Sequence, residues 1–207
     1  MEGRRFTKWL RQLPLLSKNQ RGRLLKILTP ALGLDRLCEA IEGMDGPAPC
    51  CPACKAERPY RHGRNRGLQR YRCRACGKTF TALSGTPLSR LRHRAKWLDY
   101  LDKMLDANSV RAAAKAVGVH RNTSFRWRHR FLELAKHDRP QRLNGIAEAD
   151  ELFLLAYHRR FRQWLARFHG VASRYLPNYL GWQWALDGAR IASPERFLRA
   201  AMGLFHT

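Results

Sequence analysis

The stretch Ser109–Leu134, SVRAAAKAVGVHRNTSFRWRHRFLEL, decides how the chain folds. Ser109 is placed to cap a first helix that runs to about Val117, because a hydroxyl at an N-cap accepts an orphan N–H of the first turn. Gly118 takes the tight turn, and a second helix is predicted from about Arg121 to Lys136. Val110, Ala113, Val117, Val119, Trp127 and Phe131 fall where a helix-turn-helix buries side chains. Small Ala113 and Ala114 let the two helices cross closely. That leaves Arg121, Asn122, Phe125 and Arg126, followed by His129 and Arg130, on the outside of the second helix. These are residue types that read a major groove: Arg forks onto guanine, Asn onto adenine, and an apolar ring touches a thymine methyl. The competing interpretation is an ordinary helical hairpin with a basic face.

The charge balance of the whole chain favours DNA. Among 207 residues, 40 are Lys or Arg and 16 are Asp or Glu, a formal charge of +24. An excess of that size fits a polyanionic partner, because each neutralised phosphate releases counterions. A ribosomal-type or membrane-surface basic protein is the alternative that composition alone allows. An apolar content of 44% is enough for a real core and excludes a disordered composition. The basic Met1–Leu16 stretch has no sustained apolar segment of a secretory signal, and no run approaches the ~18 apolar residues of a membrane span. No membrane role is expected, and the cytoplasm is the expected compartment. Thiols stay reduced there, so six cysteines argue for metal over disulfides.

Upstream of the helix-turn-helix, Cys51-Pro-Ala-Cys54 and Cys73-Arg-Ala-Cys76-Gly77 are separated by eighteen residues. Two such knuckles bring four thiolates to one tetrahedral zinc, so Cys51, Cys54, Cys73 and Cys76 are the expected ligands of a structural Zn2+. Four cysteines leave no open position for a catalytic water. Cys50 competes with Cys51 as a ligand, while Cys38 reads as a small buried hydrophobe. His62 lies in the ribbon loop among Arg58, Arg61, Arg64, Arg66 and Arg70, a solvated run or a phosphate-facing surface.

Ahead of the ribbon, Ser17 and Gln20 have the form of a capping box that opens a helix with Leu24, Leu25, Ile27, Leu28 and Leu32 on its apolar face. Pro30 is expected to bend or end this helix, with Gly33 as an exit. Between ribbon and helix-turn-helix, Leu88, Leu91, Ala95, Leu98, Leu101, Met104 and Leu105 recur at helical steps, predicting an amphipathic helix in which Trp97 and Tyr100 are core or rim.

Several of these segments occur in the order CPAC, RYRCRACGKTF, SGTPL, KWLDY, SVRAAAKAVGVHRNTSFRWRHRFL and IAEADE. That order resembles the front of bacterial insertion-sequence transposases of the zinc-ribbon, ISXO-like DDE type. The segment AYHRRFRQWLARFHGVASRYLPNYLGW resembles the end of the same proteins. The resemblance implies that the ribbon and helix-turn-helix bind the terminal inverted repeats of an element. It also implies an RNase H-like domain in which carboxylates hold two Mg2+ ions about 4 Å apart. Asp150 matches the first acidic position, on a strand-like run, IAEADELFLL.

The family's remaining carboxylate chemistry has no counterpart. Beyond Glu151 the acidic residues are Asp187 and Glu195 only. At the family's Asn-x-x-His-Ser motif His158 matches, but Leu155 stands at the Asn position and Arg159 at the Ser. Residues 151–207 number 57 and are mostly helix-like, too few for a multi-stranded sheet. We therefore expect an internal deletion near Leu154–Ala156, with DNA binding kept and catalysis lost, so that Mg2+ matters only where a complete site exists. A non-enzymatic regulator of transposition is the alternative.

The expected fold is mainly α with a small β zinc ribbon. It divides into a helical region 1–46, the ribbon 47–83, the helix-turn-helix region 84–140, a first-strand remnant 141–155 and a helical remnant 156–207. Trp164, Leu165, Phe168 and Val171 give the last part an apolar stripe, beside basic Arg160, Arg162, Arg167 and Arg174. Without a sheet to cover it, the stripe must pack on the helix-turn-helix, pack on another copy, or stay exposed. A homo-oligomer or a full-length transposase is accordingly a candidate partner.

Overall fold

A computed structural model describes residues 3–44, 50–134 and 151–204, with the side chains of 151–156 and of residue 4 outside the description. Helix α1 (Gly3–Leu10) and a single turn at Leu13–Leu15 precede the long helix α2 (Lys18–Glu42). Ser17 caps α2 as expected: its hydroxyl accepts from the Gln20 backbone, and its own N–H donates to the Gln20 side chain at 2.8 Å. The helix does not stop at Pro30, which lies inside it. An interior proline costs roughly 3 kcal/mol, and burial of Leu37, Cys38 and Ile41 further along offsets it. Gly33 serves close approach here and not exit, since a Cβ at that position would lie 2.3 Å from the Ala95 carbonyl oxygen. The amino-terminal half of the helix behaves differently from expectation, for Leu25, Ile27, Leu28 and Leu32 are exposed.

The ribbon sheet is antiparallel in the order β1 (Tyr60–Asn65), β2 (Leu68–Arg72), β3 (Thr79–Phe80). Tyr71 on β2 stands opposite Phe80 on β3, and their rings stack at 5.8 Å beside Cys51 and Cys73. The hairpin turn at Gly67 (φ +86°) sits on α2, where an added Cβ would meet the Cys38 sulfur at 2.6 Å. Glu42 completes the junction, accepting from the Gln69 N–H at 3.1 Å and facing Arg64 at 3.5 Å. Cys38 is thus the buried packing residue the sequence suggested, and burial raises its thiol pKa.

The amphipathic helix predicted from Leu88 starts later. Arg90 and His93 adopt left-handed backbone (φ +65° and +56°), which interrupts a helix, and α3 spans Trp97–Leu105. Leu88 and Leu91 are buried nonetheless, as are Trp97, Tyr100, Leu101 and Met104. Helices α4 (Val110–Val117) and α5 (Arg121–Leu132) follow.

Asp150 and the start of the expected strand lie outside the described residues. The second half of that run, Glu151–Leu155, belongs to helix α6 (Glu151–Ala166) and not to a strand. A lone strand leaves two unpaired edges, whereas a helix satisfies its backbone within itself. Helices α7 (Leu176–Asp187) and α8 (Pro194–Ala201) complete the chain, and α8 packs on α3 and α5. Trp164, Phe168, Tyr179, Trp182 and Phe197 form one aromatic cluster continuous with the core of the helix-turn-helix. The apolar stripe of the tail therefore packs on the helix-turn-helix, the first of the three expected outcomes. No described helix is long and apolar enough to cross a membrane.

Candidate metal centre and nucleic-acid interface

The four knuckle cysteines converge. Their sulfur atoms all lie within 4.8 Å of one another, with Cys51 to Cys76 at 3.6 Å and Cys54 to Cys73 at 3.5 Å. Four sulfurs at Zn–S of about 2.3 Å sit about 3.8 Å apart in a tetrahedron, so the cluster has the dimensions of such a site. Cys51, and not Cys50, is the member of this cluster.

The two knuckles repeat one backbone design. Cys51 N–H donates to Ala56 and Lys55 N–H to the Cys51 carbonyl; Cys73 N–H donates to Lys78 and Gly77 N–H to the Cys73 carbonyl. Lys55 and Gly77 occupy the same left-handed position, at φ +61° and +70°. Such turns aim amide groups at the first sulfur. The Cys54 N–H pulls the Cys51 thiol down to about 6, and the Cys76 N–H lowers that of Cys73. The Ala56 N–H also lowers Cys54, but the neighbouring sulfurs of Cys73 and Cys76 outweigh it and hold that thiol at about 12. Four thiols this close together, with backbone N–H groups aimed at Cys51 and Cys73, are a donor set that can take a metal cation.

The helix-turn-helix is built as its sequence suggests. The Ser109 hydroxyl accepts from Ala112 N–H at 3.2 Å, and Gly118 closes α4 in left-handed conformation (φ +65°, ψ +50°). Lys96 clamps that turn, donating to the Val117 and Gly118 carbonyls at 3.0 and 2.7 Å, where a cation also opposes the negative end of the helix dipole. His120 caps α5 through Nδ1, which accepts from Asn122 N–H. A buried hydrogen-bond chain fixes the angle between elements: the Ser124 hydroxyl donates to Val110 O, and the Tyr100 hydroxyl donates to Ser124 O at 2.6 Å. Trp127 and Phe131 pack on Tyr100 and Trp97 edge to face.

Arg121, Asn122, Phe125, Arg126 and Arg130 stand on the exposed side of α5. His129 is half-buried, its ring stacked on Tyr175 at 3.8 Å and edge-on to Phe125 at 4.4 Å. Burial, then the Arg128 and Arg174 charges, lower its pKa to about 4. The imidazole is therefore neutral at physiological pH and braces Phe125.

Arg128 was not singled out from sequence. Its side chain is fully buried, between the rings of Phe168 at 5.2 Å and Trp182 at 5.3 Å, and it donates one N–H to Asn108 O. Its Nε and Nη1 have no hydrogen-bond partner among the described residues. The sequence signal was present only as a fourth arginine on a helix whose three others face out.

Comparison with known proteins agrees with this architecture. Residues 88–140 match the family model of a homeodomain-like domain. The chain is 33% identical over 130 residues to an uncharacterized protein in the transposable element ISH50 of Halobacterium salinarum. The match covers 60% of this chain and 43% of that protein, so the chain spans less than half the length of its relative. No solved structure matches. The chain is thus similar to a homeodomain-like domain over its helix-turn-helix and, over part of its length, to a transposable-element protein, and it carries a four-cysteine cluster ahead of the helix-turn-helix.

Proposed function

We propose that the protein binds the terminal repeats of an insertion element through α5, with the ribbon held by structural zinc and its arginines on the phosphate backbone. The observation that carries this reading is the set of five exposed α5 side chains, Arg121, Asn122, Phe125, Arg126 and Arg130, on a helix-turn-helix whose angle is locked by Tyr100 and Ser124. Arg121 and Asn122 in the first turn of α5 occupy the end of a recognition helix that meets base edges. Replacing Arg121 or Asn122 by alanine is expected to cost roughly 1–3 kcal/mol at the cognate site and to relax sequence preference there. Arg66→Ala on the ribbon is expected to weaken binding to all sequences alike and to reduce the salt slope. Binding isotherms on cognate and scrambled duplexes at several salt concentrations separate the two. Uniform loss from both kinds of variant would remove α5 as the reader.

Strand transfer is not part of the proposed activity. A two-ion site needs several carboxylates converging on a shared point, and beyond Glu151 the chain has Asp187 and Glu195 alone. Each occupies a helical end of the tail, Asp187 closing α7 and Glu195 opening α8. The part supplying the catalytic sheet in the ISXO-like transposases is, on this reading, deleted near Leu154–Ala156. With oligonucleotides that carry the terminal repeats and with Mg2+, no joined product is expected. Product that disappears in an Asp150→Ala variant would restore catalysis to this chain. A protein that occupies element ends without cutting them would compete with an intact transposase, which is the regulatory alternative.

A further inference from the structure

Beside the amino-terminal turns of α5 runs an open cleft of about 580 Å³. One wall is α5 itself, and the other is the 168–175 connection between α6 and α7, folded back from the carboxy-terminal part of the chain. Among the described residues no carboxylate lines the cleft. Arg111, Arg121 and Arg174 stand exposed around it, and Phe125, Tyr175 and Tyr179 give it an aromatic side.

Beneath these lies Arg128. A guanidinium with no solvent exposure and, among the described residues, no carboxylate and no hydrogen-bond partner for Nε and Nη1 is a desolvated positive charge. Phe168 and Trp182 stabilise it in part through their ring faces. Burying such a charge without a counter-ion is costly, and an anion brought into the cleft recovers part of that cost. The cleft thus combines a buried cation and three exposed ones, Arg174 over the Tyr175 ring at 4.8 Å, with flat apolar walls. Phosphate alone would use the cations and leave the rings idle. A duplex backbone would reach the rim but could not insert, because its bases are stacked and paired. A single nucleotide out of the stack uses both sets of groups.

We propose that the cleft between α5 and the 168–175 connection binds one unpaired nucleotide, its phosphate on Arg111 and Arg174 over the buried Arg128 charge and its base against Phe125, Tyr175 and Tyr179. This rests on α5 lying against DNA, and adds that the protein distinguishes a frayed or tailed DNA end from an unbroken duplex. The carboxy-terminal segment is then a second half of the DNA-binding surface.

The test compares the full chain on a blunt cognate duplex and on the same duplex with a short single-stranded tail. The tail is expected to tighten binding by roughly tenfold, the size of one base–aromatic stack. Arg174→Ala is expected to abolish that ratio, and Arg174→Lys, which keeps the charge, to retain most of it. Equal affinity for blunt and tailed ends overturns the proposal while leaving sequence reading by α5 intact, since that is scored on the blunt duplexes alone. A tail preference unchanged in Arg174→Ala overturns it as well. Competition with deoxyadenosine monophosphate and with inorganic phosphate distinguishes the ligand's source and form. Displacement of the tail's contribution by the nucleotide and not by phosphate supports a nucleotide site that free nucleotides also enter. Displacement by neither, with the tail effect present, supports a site reached only by DNA-borne nucleotides. Equal displacement by both means that the base contributes nothing and overturns the proposal.

Discussion

Chelating the metal from the purified protein is expected to release one zinc ion per chain and to unfold the ribbon. Four sulfurs within 4.8 Å of one another cannot all ionise without a cation between them, and the uneven thiol pKa values express that conflict. Metal relieves it, and in small zinc domains the binding free energy, on the order of 10 kcal/mol at neutral pH, is folding free energy. The sheet has little else to replace it, since its own small core is Cys51, Cys73 and Phe80 with Ala56 and Tyr71 against them. Loss should not stop at the ribbon. Leu68, Leu83 and the Gly67 turn pack into the main core beside α2, so melting of the ribbon uncovers Cys38 and Ile41. Metal analysis with circular dichroism before and after chelation measures both effects, and Cys73→Ser should reproduce the second. Freshly purified, folded protein with no bound metal would refute the zinc assignment.

The second large effect is expected at Trp182. Its indole is fully buried, touches Trp164, Phe168, Tyr179 and Phe197, and covers one face of Arg128. Trp182→Ala would open a large cavity and strip a cation–π partner from a charge that has few others. A loss of about 3–5 kcal/mol is expected from the cavity term alone. Trp182→Phe keeps a ring face and should lose much less. Denaturant unfolding of the three proteins reads the difference, and a loss in Trp182→Ala below about 1 kcal/mol, the size of a surface change, would mean that the tail is not joined to the core as described.

Much of this architecture is legible in the sequence because local signals and tertiary packing agree. In the helix-turn-helix, Ser109, Gly118 and the apolar steps at Ala113, Trp127 and Phe131 all point one way. In the ribbon the knuckle spacing is itself the geometry, and Gly77 marks the left-handed turn that Lys55 hides in the other knuckle. Expectation failed where a long-range contact overrode a local preference. Pro30 and Gly33 look like a helix end, yet the close seat of Gly33 on Ala95 and the burial beyond it carry α2 to Glu42. The Leu88–Leu105 periodicity is real as burial, but left-handed Arg90 and His93 divide it, and nothing about those two residue types announces such backbone. The apolar Leu152–Leu155 run suits a strand only if other strands are present to pair with it, and it lies in α6. Arg128 is hidden for a similar reason. Its burial is created by Phe168 and Trp182, which arrive from a part of the chain that no window around α5 includes.

That roof over Arg128 changes what counts as a separable piece of this protein. Cutting after Leu134 would keep every residue of the helix-turn-helix and leave the guanidinium without either ring, with Tyr100 and Trp127 losing neighbours on the same side. The core is assembled from parts distant in sequence: the described residues up to 134 and those of the carboxy-terminal helices pack on one another. Expressed as separate polypeptides, they should reassociate, whereas either one alone would expose the aromatic seam along which they join.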